Sequence, residues 1–238
     1  MLSAKSRRSW VTEADGASET LILGRLADAF PEHAVLSEES LPDTDWDRGY
    51  VWVVDPLDGT RNFAAGIPLF CVTVALALDG KVLLGATFDP NRDICVLGAP
   101  GLRQSGPNLT VNGAPAAASS ASALADAIVI ADLGHEDRPG TLMLDLLSDL
   151  WPEVQGVRIV GSAALGLAWA AAGLTDVMLH ASLRPWDVAA ALALLPAGGG
   201  LILDRDGGPA TLASEGVVAG APAVVRQLME RTAGRPWR

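Results

Sequence analysis

No stretch of this chain reaches the roughly 18 consecutive apolar residues of a membrane-spanning helix. The basic start, Met1 to Trp10, has no apolar stretch behind it, so neither a membrane partner nor a secretory leader is expected. Cysteine is nearly absent: Cys71 and Cys95 each sit inside an apolar, strand-like run, which excludes a disulfide framework and fits small core residues in a reducing compartment. Positive charge is also in short supply. A formal net charge of −11 argues against a nucleic-acid partner, because binding that backbone depends on Lys and Arg neutralising its phosphates. No glycine-rich fingerprint of a P-loop or dinucleotide fold occurs, and His33, His135 and His180 assemble into no Ser/His/Asp triad. These absences predict a soluble, cytoplasmic protein.

What is present is core. Half of the 238 residues are hydrophobic, enough for one domain that needs no staple. Leu21, Ile22, Leu26 and Phe30 recur at helical spacing and Pro31 stops them, predicting a helix over 15–30. A strand at 34–37 delivers Glu38 and Glu39 into a polar loop over 40–49. Strands at 70–78 and 81–88 are joined by Asp79-Gly80, a strong hairpin signal, and a further strand at 93–97 extends the sheet. Asn112-Gly113 marks another turn, and the Ala- and Ser-rich stretch 114–125 reads as a connector. We expect one domain over 1–238 with lobes 1–117 and 118–238. The second half alternates strand (127–131, 157–160, 176–180, 201–203) with helix (141–151, 162–172, 186–195, 222–232), an α/β arrangement. Helices 162–172 and 186–195 are apolar nearly all round and belong between layers.

The most specific segment is 52–63. Apolar residues 51–54 suit an interior strand, and Pro56, lacking an N–H, is expected to turn the chain with Asp55 at the strand's end. Asp58 and the Leu57 carbonyl then offer hard oxygen donors, and Gly59 allows close backbone approach. A helix beginning at Thr60 would favour a phosphate beside a carboxylate-held Mg²⁺. Glu38-Glu39 and Asp187 sit at other element ends, although such a pair is usually solvated and an Asp at a helix start is more often a cap.

Asp55-Pro56-Leu57-Asp58-Gly59-Thr60-Arg61-Asn62-Phe63 resembles the signature of the inositol monophosphatase family of Mg²⁺-dependent, Li⁺-sensitive phosphatases. Val11 to Asp15, Ser37 to Ser40, Gly161 to Ala164, and Leu183 to Asp187 with Ala197 to Gly199 resemble the family's other motifs in the right order. The resemblance implies a layered α-β-α-β-α fold (an α/β, or α+β, sandwich) and two or three Mg²⁺ per site. It implies Glu38, Asp55 and the Leu57 carbonyl on a first ion, with Asp55, Asp58 and Asp187 on a second. It further implies that Glu38 and Thr60 orient the attacking water, that Asp15 accepts a hydrogen bond from Thr60, and that Gly59, Thr60, Gly161, Ser162 and Ala163 bind substrate.

Two departures stand out. His180 replaces a glutamate that contacts ring hydroxyls in inositol-cleaving members, and the chain begins almost at Lys5, where the family has a long helix beforehand. A small phosphorylated metabolite, inositol monophosphate or a similar sugar phosphate, is the expected substrate. Fructose-1,6-bisphosphate, phosphoadenosine phosphate and histidinol phosphate are alternatives, as is a non-catalytic metal- or metabolite-binding role. A homodimer is what the family would suggest.

Overall fold

The computed structural model describes residues 3–6, 9–41, 43–101 and 107–237. Met1, Leu2, Arg7 and Arg8 of the basic start, and Pro42 of the 40–49 loop, lie outside the described residues. Strands β1 (Ser3–Ser6) and β2 (Ser9–Val11) pair antiparallel ahead of helix α1 (Glu13–Ala29). Thr12 starts that helix with a capping box: its hydroxyl accepts the Ala14 N–H at 3.1 Å, and Asp15 accepts the Thr12 N–H at 2.8 Å.

A large sheet follows, with β3 (Ala34–Ser37), β4 (Tyr50–Asp58), β5 (Cys71–Leu78), β6 (Lys81–Asp89), β7 (Ile94–Gly98), β8 (Leu109–Val111) and β9 (Ala114–Pro115) side by side in chain order. Only β3 and β4 run parallel; the remaining pairs are antiparallel. The short helix α2 (Thr60–Ala64) lies between β4 and β5. Asp79 (φ 49°) and Gly80 (φ 75°) make the left-handed pair that the two-residue hairpin requires.

The second sheet holds β10 (Ile128–Ala131), β11 (Gly156–Ile159), β12 (Val177–His180), β13 (Leu201–Asp204) and β14 (Val217–Gly220) in the order β11-β10-β12-β14-β13. Strand β10 is parallel to β11 and β12, whereas β14 runs antiparallel to β12 and β13. The remaining helices are α3 (Asp137–Leu150), α4 (Ala163–Ala171), α5 (Pro185–Ala197) and α6 (Pro222–Arg231).

Side-chain alternation builds the layers. In the second sheet Ile130, Met178 and Ala219 face the core shared with α4, α5 and the first sheet. Their neighbours Val129, Val177 and Val218 face a separate core with Met143 and Leu147 of α3 and Val225 and Leu228 of α6. On the first sheet Val51 and Val53 point toward α5, while Trp52 meets Phe30, at the end of α1, at a centroid distance of 5.2 Å. The order is therefore α-β-α-β-α, with α4 and α5 in the middle.

Two expectations need correction. The strand does not end at Asp55: β4 continues to Asp58, because Pro56 sits in a register shift where its missing N–H costs no ladder bond. Helix α1 does not bury the apolar spacing that predicts it; Leu21 is 63% and Phe30 41% exposed, and its buried residues are Asp15 and Glu19.

Helix α5 lies hard against β6. A Cβ added at Gly85 would come within 2.5 Å of the Ala190 carbonyl oxygen, backbone that cannot swing aside. We expect Gly85→Ala to destabilise the fold by about 1–3 kcal/mol through overpacking, read as a lower urea midpoint at unchanged m. A midpoint equal to wild type would show that the two layers can part without cost.

Candidate active site

In a regular strand, Asp55 and Asp58, three residues apart, would point to opposite faces. Asp55 pairs with Thr73 and Asp58 with Cys71, so three steps on β4 oppose two on β5 and one residue is extra. That bulge turns both carboxylates to one side. The Leu57 N–H donates to Asp55 Oδ1 at 3.0 Å, fixing the kink. Asp58 then meets the start of α4: its carboxylate accepts the Ala164 N–H at 2.8 Å, the Ala163 N–H at 3.3 Å and the Ser162 hydroxyl. Asp187 occupies the first turn of α5 and accepts the Arg184 N–H at 2.7 Å. It is thus both a cap and a member of the site.

Asp55, Asp58 and Asp187 each bring one oxygen within 4.8 Å of the others. Glu38 lines the same cleft, of about 350 Å³. Burial first, and then the neighbouring charges of Glu38, Asp58 and Asp187, holds the Asp55 carboxyl well above the usual carboxylate range. Asp187 is raised well above it by burial and then by Asp58. Asp58 is raised by burial, opposed by its bond from Ser162. A trio of hard oxygens that repel one another fits Mg²⁺, which is small and oxygen-seeking.

Helix α1 braces this cleft with one polar face. The Thr60 hydroxyl has Asp15 Oδ1 at 2.9 Å and the Leu57 carbonyl at 3.0 Å as acceptors. Ser18 donates to the Pro56 carbonyl at 2.8 Å. Glu19 accepts the Ser40 N–H at 3.1 Å and the Ser37 hydroxyl at 2.5 Å, clamping both ends of the turn that carries Glu38 and Glu39. Gly59 adopts φ 92°, and a Cβ there would lie 2.9 Å from the Leu69 carbonyl oxygen, so the bend before Thr60 requires glycine.

Gly161, Ala163 and His180 line the cleft with Gly59 and Thr60, whereas Ser162 is buried behind them with its hydroxyl on Asp58. His180, at the end of β12, accepts the Ser182 N–H on Nδ1 at 3.1 Å; burial lowers its pKa to about 4. His33 lies elsewhere, stacked between Phe30 and Tyr50.

Sequence reasoning missed five contributors: Ser18, Glu19, Asn62, Asp132 and His135. Asn62 donates to the Leu69 carbonyl at 2.7 Å and the Val160 carbonyl at 2.8 Å, tying the Thr60 helix to the Gly161 loop. Asp132 and His135 line the cleft just past β10. The available signal was positional, since Asp132 directly follows an apolar strand, as Glu38 does, and His180 ends one.

A family profile described as the Inositol monophosphatase family matches residues 2–237. The chain is 35% identical to an inositol-1-monophosphatase of Mesorhizobium japonicum, over 96% of this chain and 85% of the relative. It is 32% identical to Nus factor SuhB of Escherichia coli, over 95% of this chain and 84% of the relative. Among solved structures, an inositol monophosphatase from Anabaena superposes with a TM-score of 0.87 at 35% identity, covering 95% of this chain and 88% of the other. The suhB protein of Bartonella henselae superposes at 0.89 with 32% identity, covering 98% and 88%.

The raised carboxyl groups have a signed consequence. In metal-free protein the folded state holds protons that the unfolded chain has already released, so their contribution to stability falls as pH rises above the unfolded value of about 4. Asp55→Asn removes that penalty. In EDTA, its Tm should exceed wild type by a few degrees at about pH 8 and by less at about pH 5, and only wild type should gain Tm on adding Mg²⁺. A Tm difference independent of pH, or no Mg²⁺ effect on wild type, would contradict the arrangement.

Proposed function

We propose, from the premise that the chain belongs to the inositol monophosphatase family and is a phosphoric monoester hydrolase, that it hydrolyses a small phosphate monoester in a Mg²⁺-dependent reaction. Inositol monophosphate or a similar sugar phosphate is the preferred substrate in this reading. The observation that carries it is the meeting of Asp55, Asp58 and Asp187 within 4.8 Å, beside Thr60 and its acceptor Asp15.

Asp55, Asp58 and Asp187, with Glu38 and the Leu57 carbonyl, would hold the metal. Bound there, Mg²⁺ supplies positive charge against the negative charge of the phosphate as the ester is cleaved. The chain's own groups do the rest. With its proton directed to Asp15, the Thr60 oxygen is left with lone pairs to accept a hydrogen bond from the attacking water, and Glu38 is the second acceptor. Drawing that water's protons toward Thr60 and Glu38 leaves more electron density on its oxygen and makes it a better nucleophile, with Glu38 placed to take the proton, so no enzyme-bound ester is needed. Gly59 and Thr60 N–H groups hold the phosphate, and Gly161, Ala163 and His180 face the alcohol that leaves. Ser162 acts at one remove, by holding Asp58.

A second reading, a role in partner association, draws on the relative called Nus factor SuhB. The two separate on one variant. Asn at position 58 still caps α4 but lacks the metal-binding charge, so Asp58→Asn should fold and lose about 100-fold or more of Mg²⁺-dependent turnover. The assay is phosphate release from inositol 1-phosphate, fructose 1,6-bisphosphate, phosphoadenosine phosphate and histidinol phosphate. Full activity in Asp58→Asn would sink the metal assignment, and silence of the wild type across the panel would shift weight to partner association.

A further inference from the structure

We propose that a second cavity, behind the far wall of the cleft, binds a small aromatic carboxylate, and that its occupant lowers turnover in the cleft. The effect on turnover rests on the phosphatase reading above; the binding site does not.

The cavity, of about 230 Å³, lies between the start of α3, the turn after β13 and the residues that follow α6. Its cations are Arg138 and Arg205, while Pro139, Leu142, Pro236 and Trp237 make the rest of the lining apolar. Guanidinium groups over apolar walls suit an organic anion, because each presents N–H groups in a flat fork that matches a carboxylate, and a flat ring packs well on an indole. Arg138 stands in the first turn of α3, where the helix dipole disfavours a cation, and it makes no hydrogen bond or ion pair with a described residue. Arg205 pairs with Glu215 at 3.1 Å, but that carboxylate is 75% exposed, so water weakens the pair. Trp237 is 2% exposed, and its indole N–H is buried without an acceptor among the described residues, a cost that native structures seldom leave uncompensated.

The cavity and the cleft share two walls. His180 and Ser182 line the cleft, and Ala181 between them lines the cavity. Asp132, Gly134 and His135 line the cleft, and Arg138 on the same segment lines the cavity. The two segments touch, since a Cβ added at Gly134 would lie 3.1 Å from the Ser182 Cβ. Arg205 fastens one of them by donating from Nη1 to the Ala181 carbonyl at 3.2 Å. A bound carboxylate offers Arg205 a charged acceptor in place of that neutral carbonyl, and charge-assisted bonds are roughly twice as strong. Releasing Ala181 loosens the stretch that runs on to Arg184, whose N–H holds Asp187. Occupancy therefore works against the carboxylate trio without competing for the cleft.

Benzoate is the probe, and benzyl alcohol its uncharged control. Calorimetry in EDTA, where the acidic metal-free cleft repels anions, should show saturable benzoate binding, about tenfold weaker in Arg138→Gln, and none for benzyl alcohol. On the Mg²⁺-loaded enzyme, saturating benzoate should lower kcat for inositol 1-phosphate by about fivefold with KM little changed, and Arg138→Gln should lose this response. Each protein is compared with itself, so differences in folding or metal affinity cancel. No saturable binding, equal binding in Arg138→Gln, equal binding of benzyl alcohol, an unchanged kcat, or a rise in KM alone, which would place benzoate in the cleft, overturns the proposal while the phosphatase reading stands. A wild type that releases no phosphate overturns that reading and the effect on turnover with it, and the calorimetry still decides the site.

Discussion

Three carboxylates forced together in a poorly solvated cleft are the constraint around which the rest is arranged. Burial raises the proton affinity of Asp55, Asp58 and Asp187, and neighbouring carboxylates raise it further: Glu38, Asp58 and Asp187 act on Asp55, Asp58 and Glu38 on Asp187, and Asp132 on Asp58. Left to relax, such groups would swing apart into water. Two of them are pinned by main-chain N–H groups at helix starts, Asp58 by α4 and Asp187 by α5, where the helix dipole also favours negative charge. Those helices are the apolar middle layer, closed in by both sheets. Core packing thus holds the carboxylates in place: α4 and α5 cannot shift without opening the sandwich.

The opposite side of the cleft is held by polar contacts. Asp15, Ser18 and Glu19 lie on one face of α1 and reach Thr60, the Pro56 carbonyl and the turn at Ser37 to Ser40. An i, i+3, i+4 spacing puts those residues over a single patch. Each bond ends on the backbone or on a side chain next to a proposed ligand, so α1 acts as a splint for two loops.

This explains what the sequence made legible. Residues 52–63 announced themselves because strand, carboxylates, glycine and helix start occur without interruption, and the middle helices did so because their apolar residues leave no polar face. Asp15 was reached through a resemblance to known phosphatases. Glu19 and Ser18 were not, because a buried polar face on a surface helix inverts the usual hydrophobic pattern, in which Leu21 and Phe30 mark the inward side. The bulge at Pro56 was misread as a turn, since a proline cannot show whether the strand resumes beyond it. Strand β14 was missed for a different reason: Val217 to Gly220 is four residues with no alternation, and only its neighbours β12 and β13 make it an interior strand. Asp132 directly follows an apolar strand, but its place beside His180 needed the register of β10 with β12, which no local pattern contains.

The two halves of the cleft are built from different materials, and this bears on how such a protein diversifies. The carboxylate half depends on helix starts, a bulge and a glycine with φ 92°, features that tolerate little substitution because each is locked to the core. The far wall is made of side chains at the ends of β10 and β12, where Asp132 and His180 lie beyond the residues that fill the outer core. Exchanging them would alter the polar groups that line the cleft without moving a strand. His180 shows the principle: its ring is nearly buried, yet one hydrogen bond from Ser182 decides which nitrogen carries the proton, and so what the wall can offer. On the proposed phosphatase reading, chemistry at the phosphate and choice of alcohol are therefore separable by geometry, one fixed by backbone and packing, the other by a few side chains at strand ends.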